Sequence, residues 1–321
     1  MNLANKPNIS AFRPYRMFLA PMLGITDATF RNVFAKHFPG FDGSYAPFIK
    51  VNQNLDFKKS KMAELSPNLN RQLEVIPQVM CNEVAPFLHV TSILADLGYK
   101  QVNLNLGCPS PTSSGRGLGC GLMPDFERVD RLLEGVFQRA DLKVSIKTRL
   151  GLNSSEDLSS LIPIFNRYPL DHVVIHPRTG KQGYAGEVDL EGFKKASQQL
   201  KVPVYYSGDI KTYSDFQSLR LKIPEISNFL IGRGALRDPN IMKSIQLSSE
   251  VPIAMGDFCV FLMELADRYF EKDISLKDVL IRIKTICYYL ASNQSFPPKQ
   301  VKAIRKSSSM LEILDSIGGN Y

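Results

Sequence analysis

The cysteine best placed for chemistry is Cys108. It follows the run Asn103-Leu104-Asn105-Leu106-Gly107 and precedes Pro109 and a loop carrying Gly115, Gly117, Gly119 and Gly121. A thiol before a proline and a glycine-rich loop is positioned to react. The plainer alternative, a small buried apolar residue, is the preferred reading of Cys81, Cys120, Cys259 and Cys287. Lys147 and Arg149 stand two apart in a β-branched run, so on a strand they share one side. A lysine inside a core is costly unless it meets an anion or an electron-rich ring. Gln78, His176-Pro177-Arg178, Ser207-Gly208-Asp209 and Gly232-Arg233-Gly234 also follow apolar runs. Glycines let backbone N–H groups approach a phosphate, and arginine adds charge. These residues suit a planar cofactor with one phosphate. Flavin mononucleotide (FMN) fits better than a dinucleotide.

The elements that must position them alternate. Strands are expected at 17–21, 43–49, 75–80, 101–106, 143–149, 172–176, 202–207 and 229–232, each but the second followed by a helical pattern. Eight strands alternating with helices imply a parallel sheet and fit an α/β fold of the (β/α)8 TIM-barrel type. A doubly wound open sheet is the alternative, but no G-x-G-x-x-G follows the first strand. In a barrel, functional residues sit at the C-terminal strand ends, and a phosphate usually binds after strands seven and eight. The residues singled out above occupy such positions. Beyond about residue 250 the strand pattern stops, and 251–270, 278–290 and a segment opened by Pro297-Pro298 read as helices. The expected organisation is an extension over 1–16, a barrel over 17–248 and an all-helical domain over 249–321.

The net charge is +8, which favours polyanionic partners. Between 279 and 311 lie six basic residues, Arg282, Lys284, Lys299, Lys302, Arg305 and Lys306, and no acidic one, with Tyr288, Tyr289 and Phe296 among them. That composition suits a phosphate backbone and an exposed base; the alternative is a solvated helix face. No cysteine pair has C-x-x-C spacing, so no metal is expected. The polar N-terminus lacks the apolar core of a leader peptide, and no apolar run reaches membrane-span length. A cytoplasmic monomer is expected.

The motifs A-P-M-L-G-I-T-D at 20–27, N-L-N-L-G-C-P-S at 103–110, K-T-R-L-G at 147–151, H-P-R-T at 176–179, S-G-D-I at 207–210 and G-R-G-A-L at 232–236 resemble the tRNA-dihydrouridine synthase family, most of all its bacterial C-type branch. The resemblance implies reduction of the C5=C6 bond of uracil in tRNA, with FMN as cofactor and NADPH or NADH as electron donor. It implies Pro21, Met22 and Leu23 along the flavin, and Gln78 and Lys147 at the isoalloxazine. His176, Ser207, Gly208, Asp209, Gly232 and Arg233 would hold the ribityl chain and phosphate. Cys108 would be the general acid. Asn105, Arg149, Arg178 and Tyr184 would contact the uracil, and Lys299, Lys302, Arg305 and Lys306 the tRNA backbone. The family commonly has Asn-Gly-Glu or Asn-Gly-Asp where this chain has Ser207-Gly208-Asp209. Two rival readings are an FMN barrel acting on a small pyrimidine, as dihydroorotate-type oxidoreductases do, and a non-catalytic RNA-binding barrel.

Overall fold

A computed structural model describes residues 14–293 and 296–318. Ten parallel strands form one sheet: β1 (Arg16–Leu19), β2 (Gly43–Tyr45), β3 (Ile49–Lys50), β4 (Val75–Ile76), β5 (Gln78–Met80), β6 (Gln101–Leu106), β7 (Lys143–Gly151), β8 (Val173–Thr179), β9 (Val204–Tyr206) and β10 (Asn228–Ile231). Their order is β3-β5-β6-β7-β8-β9-β10-β1-β2-β4. The two ends of that order belong to the same chain segments. β2 and β3 are halves of one run, as are β4 and β5, so the sheet closes into an eight-membered barrel. Proline has no N–H to give the ladder, and Pro77 separates β4, which pairs with β2, from β5, which pairs with β6. Most of residues 1–16 lie outside the described residues.

Other boundaries differ from the sequence reading for physical reasons. β1 stops at Leu19, because Ala20 and Pro21 already belong to the turn that follows. β7 and β8 run past the expected ends, to Gly151 and Thr179, with a register shift between Arg149 and Gly151. A bulge of this kind re-aims side chains and tolerates proline. The two strands therefore rise above the barrel mouth as a ribbon carrying Arg149, His176 and Arg178. After β10 the chain is helical, with principal helices at Met255–Phe270, Leu276–Asn293, Pro298–Lys306 and Met310–Ser316. Pro298 opens its helix at the first position, where a missing N–H costs nothing. No helix among the described residues is long and apolar enough to cross a membrane.

The outward faces of the strands pack under the helices through residues such as Leu104, Ile146, Ile175 and Phe229. Inside the barrel, Phe18, Tyr45, Ile76, Val174 and Leu230, with Tyr205, form a separate apolar plug. Buried in the same interior is His172. It accepts the Tyr45 hydroxyl at Nε2 (2.6 Å) and donates from Nδ1 to Asp171 (2.8 Å), and the Tyr205 ring stacks on it at 4.1 Å. The plug leaves polar side chains, and space, only above it. Tyr45→Phe removes one bond and strands a buried imidazole nitrogen, which costs about 1–3 kcal/mol. Urea unfolding should show that loss, and unchanged stability would mean that water replaces the hydroxyl.

Candidate active site

At the C-terminal ends of the strands lies a cavity of about 440 Å³. Its floor is a chain of buried amides. Ser145 Oγ accepts from Asn103 Nδ2 (2.9 Å), and Asn103 Oδ1 accepts from Gln78 Nε2 (2.7 Å). Gln78 Oε1 accepts from Asn105 Nδ2 (2.7 Å), and Asn105 Oδ1 receives the backbone N–H groups of Gly107 (3.0 Å) and Cys108 (2.9 Å). The chain follows from strand register, since Gln78, Asn103 and Ser145 are direct cross-strand neighbours. It fixes the direction in which the backbone leaves β6, and with it Cys108.

Cys108 lines the cavity and is partly exposed. Cys120, in the same loop, is buried, and burial pushes its thiol up to about 11. Burial likewise holds Cys81 up, to about 12. Gly119 explains the separation of the two loop thiols. Its φ is +58°, and a Cβ there would meet the Cys108 carbonyl at 2.7 Å, so only glycine lets the loop fold back onto the strand end. Cys120 N–H then donates to Cys108 O (3.2 Å).

Above the floor stand the cations of β7. Arg149 is buried and gives Nε to Gly107 O (2.9 Å) and Nη1 to Thr179 O (2.8 Å) and Gly183 O (2.7 Å). It thus ties the Cys108 turn to the loop bearing Tyr184. Lys147 lines the cavity, and no hydrogen bond or ion pair engages its ammonium among the described residues. Burial, then the Arg149 charge, lower its pKa to about 7. His176 Nδ1 donates to Ser207 O (2.5 Å). Burial, then Lys147 and Arg149, hold its pKa well below the ordinary value, so the ring is neutral and Nε2 is an acceptor.

The far wall is built on β9 and β10. Desolvation raises the Asp209 pKa, but Arg178, Arg233 and Lys211 outweigh it and bring it to about 2. Arg178 Nη2 meets Asp209 at 2.6 Å and Gly186 O at 2.7 Å, and Arg233 Nη2 meets Asp209 at 2.6 Å. Arg178, a candidate substrate contact, is instead buried behind this carboxylate and does not line the cavity. A Cβ on Gly234 would collide with the Ile210 carbonyl, so glycine alone allows the two turns to pack. Tyr184 is 58 % exposed, with the Arg233 guanidinium 4.2 Å and the Arg149 guanidinium 5.3 Å from its ring centre. This cation–π pair holds an aromatic at the rim.

The cavity gathers Pro21, Met22, Leu23, Gln78, Asn105, Cys108, Lys147, Arg149, His176, Tyr184, Ser207, Gly208, Asp209, Gly232 and Arg233. It also contains Phe48, Lys211 and Arg237, which the sequence did not single out, and Tyr289, which the sequence placed with the basic C-terminal stretch and not at this cavity. Lys211 follows S-G-D-I and Arg237 follows G-R-G-A-L, so both were detectable as the next basic residue. Phe48 and Tyr289 reach the site only through tertiary packing. Lys299, Lys302, Arg305 and Lys306 lie elsewhere, exposed on helix Pro298–Lys306. Their three- and four-residue spacing puts them on one face, and none has a carboxylate partner among the described residues. No cluster of three or more potential metal ligands occurs among the described residues.

Fold and cavity define a (β/α)8-barrel protein with a cationic cavity at the C-terminal strand ends. One family model, described as dihydrouridine synthase (Dus), matches residues 18–309, and the chain belongs to that family. It is 30 % identical over 226 residues to a probable tRNA-dihydrouridine synthase of Rhodobacter capsulatus, covering 70 % of this chain and 68 % of that one. It is 28 % identical over 240 residues to tRNA-dihydrouridine(16) synthase of Escherichia coli K12, covering 72 % and 75 %. The Cupriavidus necator tRNA-dihydrouridine(16) synthase aligns over 93 % of this chain and 95 % of its own at 24 % identity. Among solved structures, morphinone reductase in complex with tetrahydroNAD superposes with a TM-score of 0.54 at 7 % identity, over 74 % of this chain and 88 % of that one. That likeness is one of fold.

The Lys147 environment predicts a pH effect. Between about pH 7 and 10.5 the unfolded chain holds a proton on this lysine that the folded, ligand-free protein lacks. Stability contributed by this group therefore rises with pH across that window. Lys147→Met should flatten the rise and stabilise ligand-free protein at pH 7, by on the order of a few kcal/mol. Urea unfolding at pH 7 and 9 measures both, and parallel pH slopes in the two proteins would show that the ammonium is not desolvated.

Proposed function

We propose that the protein reduces the C5=C6 bond of uridine in tRNA to give 5,6-dihydrouridine, with FMN as cofactor and NADPH or NADH as electron donor. The observation that carries this reading is a part-buried lysine with no anionic partner among the described residues, in one cavity with a partly exposed thiol. An unpaired ammonium in a low-dielectric site calls for a negatively charged or electron-rich ligand, and the donor set around it fits FMN. Pro21, Met22 and Leu23 supply apolar contact for its ring. Gln78 and Lys147 supply donors to the ring's polar edge, and His176 Nε2 accepts from the ribityl hydroxyls. Ser207, Gly208, Gly232 and Arg233 take the phosphate, with Lys211 and Arg237 adding charge. Asp209 does not face a phosphate in this reading; its carboxylate positions Arg233. When bound, the flavin supplies the hydride that uracil C6 requires.

The chain itself supplies the proton and the orientation. Cys108 gives its thiol proton to C5 as the general acid. Asn105 has one amide hydrogen left after holding Gln78, and that hydrogen reads the base. Lys147 and Arg149 offset negative charge developing on the uracil carbonyls. The Tyr184 ring, braced by two guanidiniums, offers a face for the extruded base, and leaving the tRNA stack costs a few kcal/mol. The exposed ridge of Lys299, Lys302, Arg305 and Lys306 takes the phosphate backbone. Relatives named for position 16 make that uridine the first to examine.

Wild-type protein given FMN, NADPH and unmodified tRNA should form dihydrouridine, mapped by position. Cys108→Ala should lower the single-turnover rate about 10²–10⁴-fold, with flavin content unchanged. Cys120→Ala should lose far less. A near-normal rate in Cys108→Ala would move the acid role elsewhere.

Replacing Lys299, Lys302, Arg305 and Lys306 together with Ala should weaken tRNA binding. It should also flatten the dependence of log K on log salt by up to about 3–4, because fewer counterions are released. An unchanged slope would make the ridge a solvated face only.

A further inference from the structure

Arg282 belongs by sequence to the basic stretch of the helical region, yet it is not free to meet a phosphate. Its Nη1 donates to Asp27 Oδ2 (2.7 Å) and to Gly24 O (3.3 Å), and its guanidinium lies 5.0 Å from the centre of the Tyr269 ring. Asp27 is buried and fully engaged. It caps helix Ala28–His37 through Phe30 N–H (2.9 Å) and accepts the Tyr269 hydroxyl at both oxygens (3.1 Å). Three helices and the turn after β1 therefore meet at one ion pair. That turn carries Met22, Leu23 and Ile25, which line the cavity. It is braced by Thr26 Oγ1, which accepts from Met22 N–H (2.8 Å), and by Arg31 Nη1, which donates to Thr26 O (2.8 Å).

The helix that carries Arg282 touches the site a second time. Tyr289 lies seven residues on, about two turns and so on the same face, and lines the cavity. Between them Lys284 Nζ donates to Arg305 O (3.3 Å), which joins this helix to the basic ridge. One helix thus connects the cavity's first turn, a cavity-wall tyrosine and the proposed tRNA-binding surface.

We propose that Arg282 is a positioning residue for the reduction. Its ion pair with Asp27 sets helix Leu276–Asn293 against the turn after β1, which holds Tyr289 in the cavity wall and holds the ridge at a fixed distance from Cys108. The tRNA bound on the ridge then delivers its extruded base to the cavity in register. Arg282 does this without touching tRNA. The proposal rests on tRNA being the substrate.

The test compares Arg282→Met, Arg282→Lys, Asp27→Asn and the double variant Asp27→Asn/Arg282→Met in the full-length, FMN-loaded protein, with Tyr289→Ala as a variant that leaves the ion pair intact. Four quantities are read: FMN content, melting temperature, tRNA affinity and single-turnover dihydrouridine formation. Arg282→Met and Asp27→Asn should keep their FMN and bind tRNA within about threefold of wild type, yet form dihydrouridine at least tenfold more slowly. The double variant should be no slower than the slower single variant, because the two side chains act as one unit. Arg282→Lys should recover part of the rate, and Tyr289→Ala should lose rate without loss of melting temperature. A rate within twofold of wild type in Arg282→Met overturns the proposal. So does a tRNA affinity that falls as far as the rate, which would make Arg282 an ordinary tRNA-binding cation. If Arg282→Met does not fold, Asp27→Asn and Arg282→Lys carry the same comparison. Wild-type protein that forms no dihydrouridine removes the tRNA reading itself, a result separate from any ranking of the variants.

Discussion

Positive charge in excess of its counter-charge governs this site. Lys147, Arg149, Lys211, Arg233 and Arg237 all border one cavity, against a single bordering carboxylate, Asp209. That carboxylate is already divided between Arg178 and Arg233. Low dielectric magnifies the imbalance. Burial first, and this charge second, lower the pKa of Lys147 and keep His176 neutral, while the surrounding cations outweigh burial at Asp209 and keep it ionised throughout the ordinary pH range. A ligand-free site of this kind is destabilised by its own charges, and an anionic ligand relieves it.

The remaining polar groups of the site follow the opposite rule. Ser145, Asn103, Gln78 and Asn105 are neutral, buried and mutually hydrogen-bonded, so they are tolerated inside the barrel without a ligand. Because each is set by strand register, the chain is stiff, and its last member holds the backbone N–H of Cys108. Arg149 closes the arrangement from above by binding the Gly107 carbonyl. The Cys108 thiol therefore stands on a rigid mount, while Cys120, a few residues away, is walled in by the same loop. Preorganisation of this kind is what a proton transfer between fixed partners needs.

The helical region stands in a different relation to the cavity from a separate binding module. Through Arg282 and Asp27 it is bonded to the turn that lines the site, and through Tyr289 it forms part of the wall. Its outer surface carries exposed Tyr288 and the basic ridge, which has no carboxylate partner among the described residues. Arg282 and Lys284 look alike in sequence to the ridge residues, but they are engaged in internal contacts. Internal partners, which the ridge side chains lack among the described residues, set these two cations apart.

Local pattern by itself determined the eight strand-bearing runs, though two of them are split into ten strands, and with them the parallel barrel, the helical C-terminal region and the residues at most strand ends. Parallel buried strands must be apolar on both faces, so Gln78, Lys147 and Arg149 within such runs are conspicuous. The breaks at Pro77 and after Tyr45, and the extension of the β7–β8 ribbon, were not legible. They depend on ladder pairing with strands distant in the chain. Nor could the sequence tell that Arg178 lies behind Asp209, that Arg282 pairs with Asp27 at the turn after β1, or that Tyr289 lines the cavity. A guanidinium is the same group whether it faces a phosphate or a buried carboxylate. Only the packing of elements hundreds of residues apart decides which partner lies within hydrogen-bond reach, and that partner decides what the residue does.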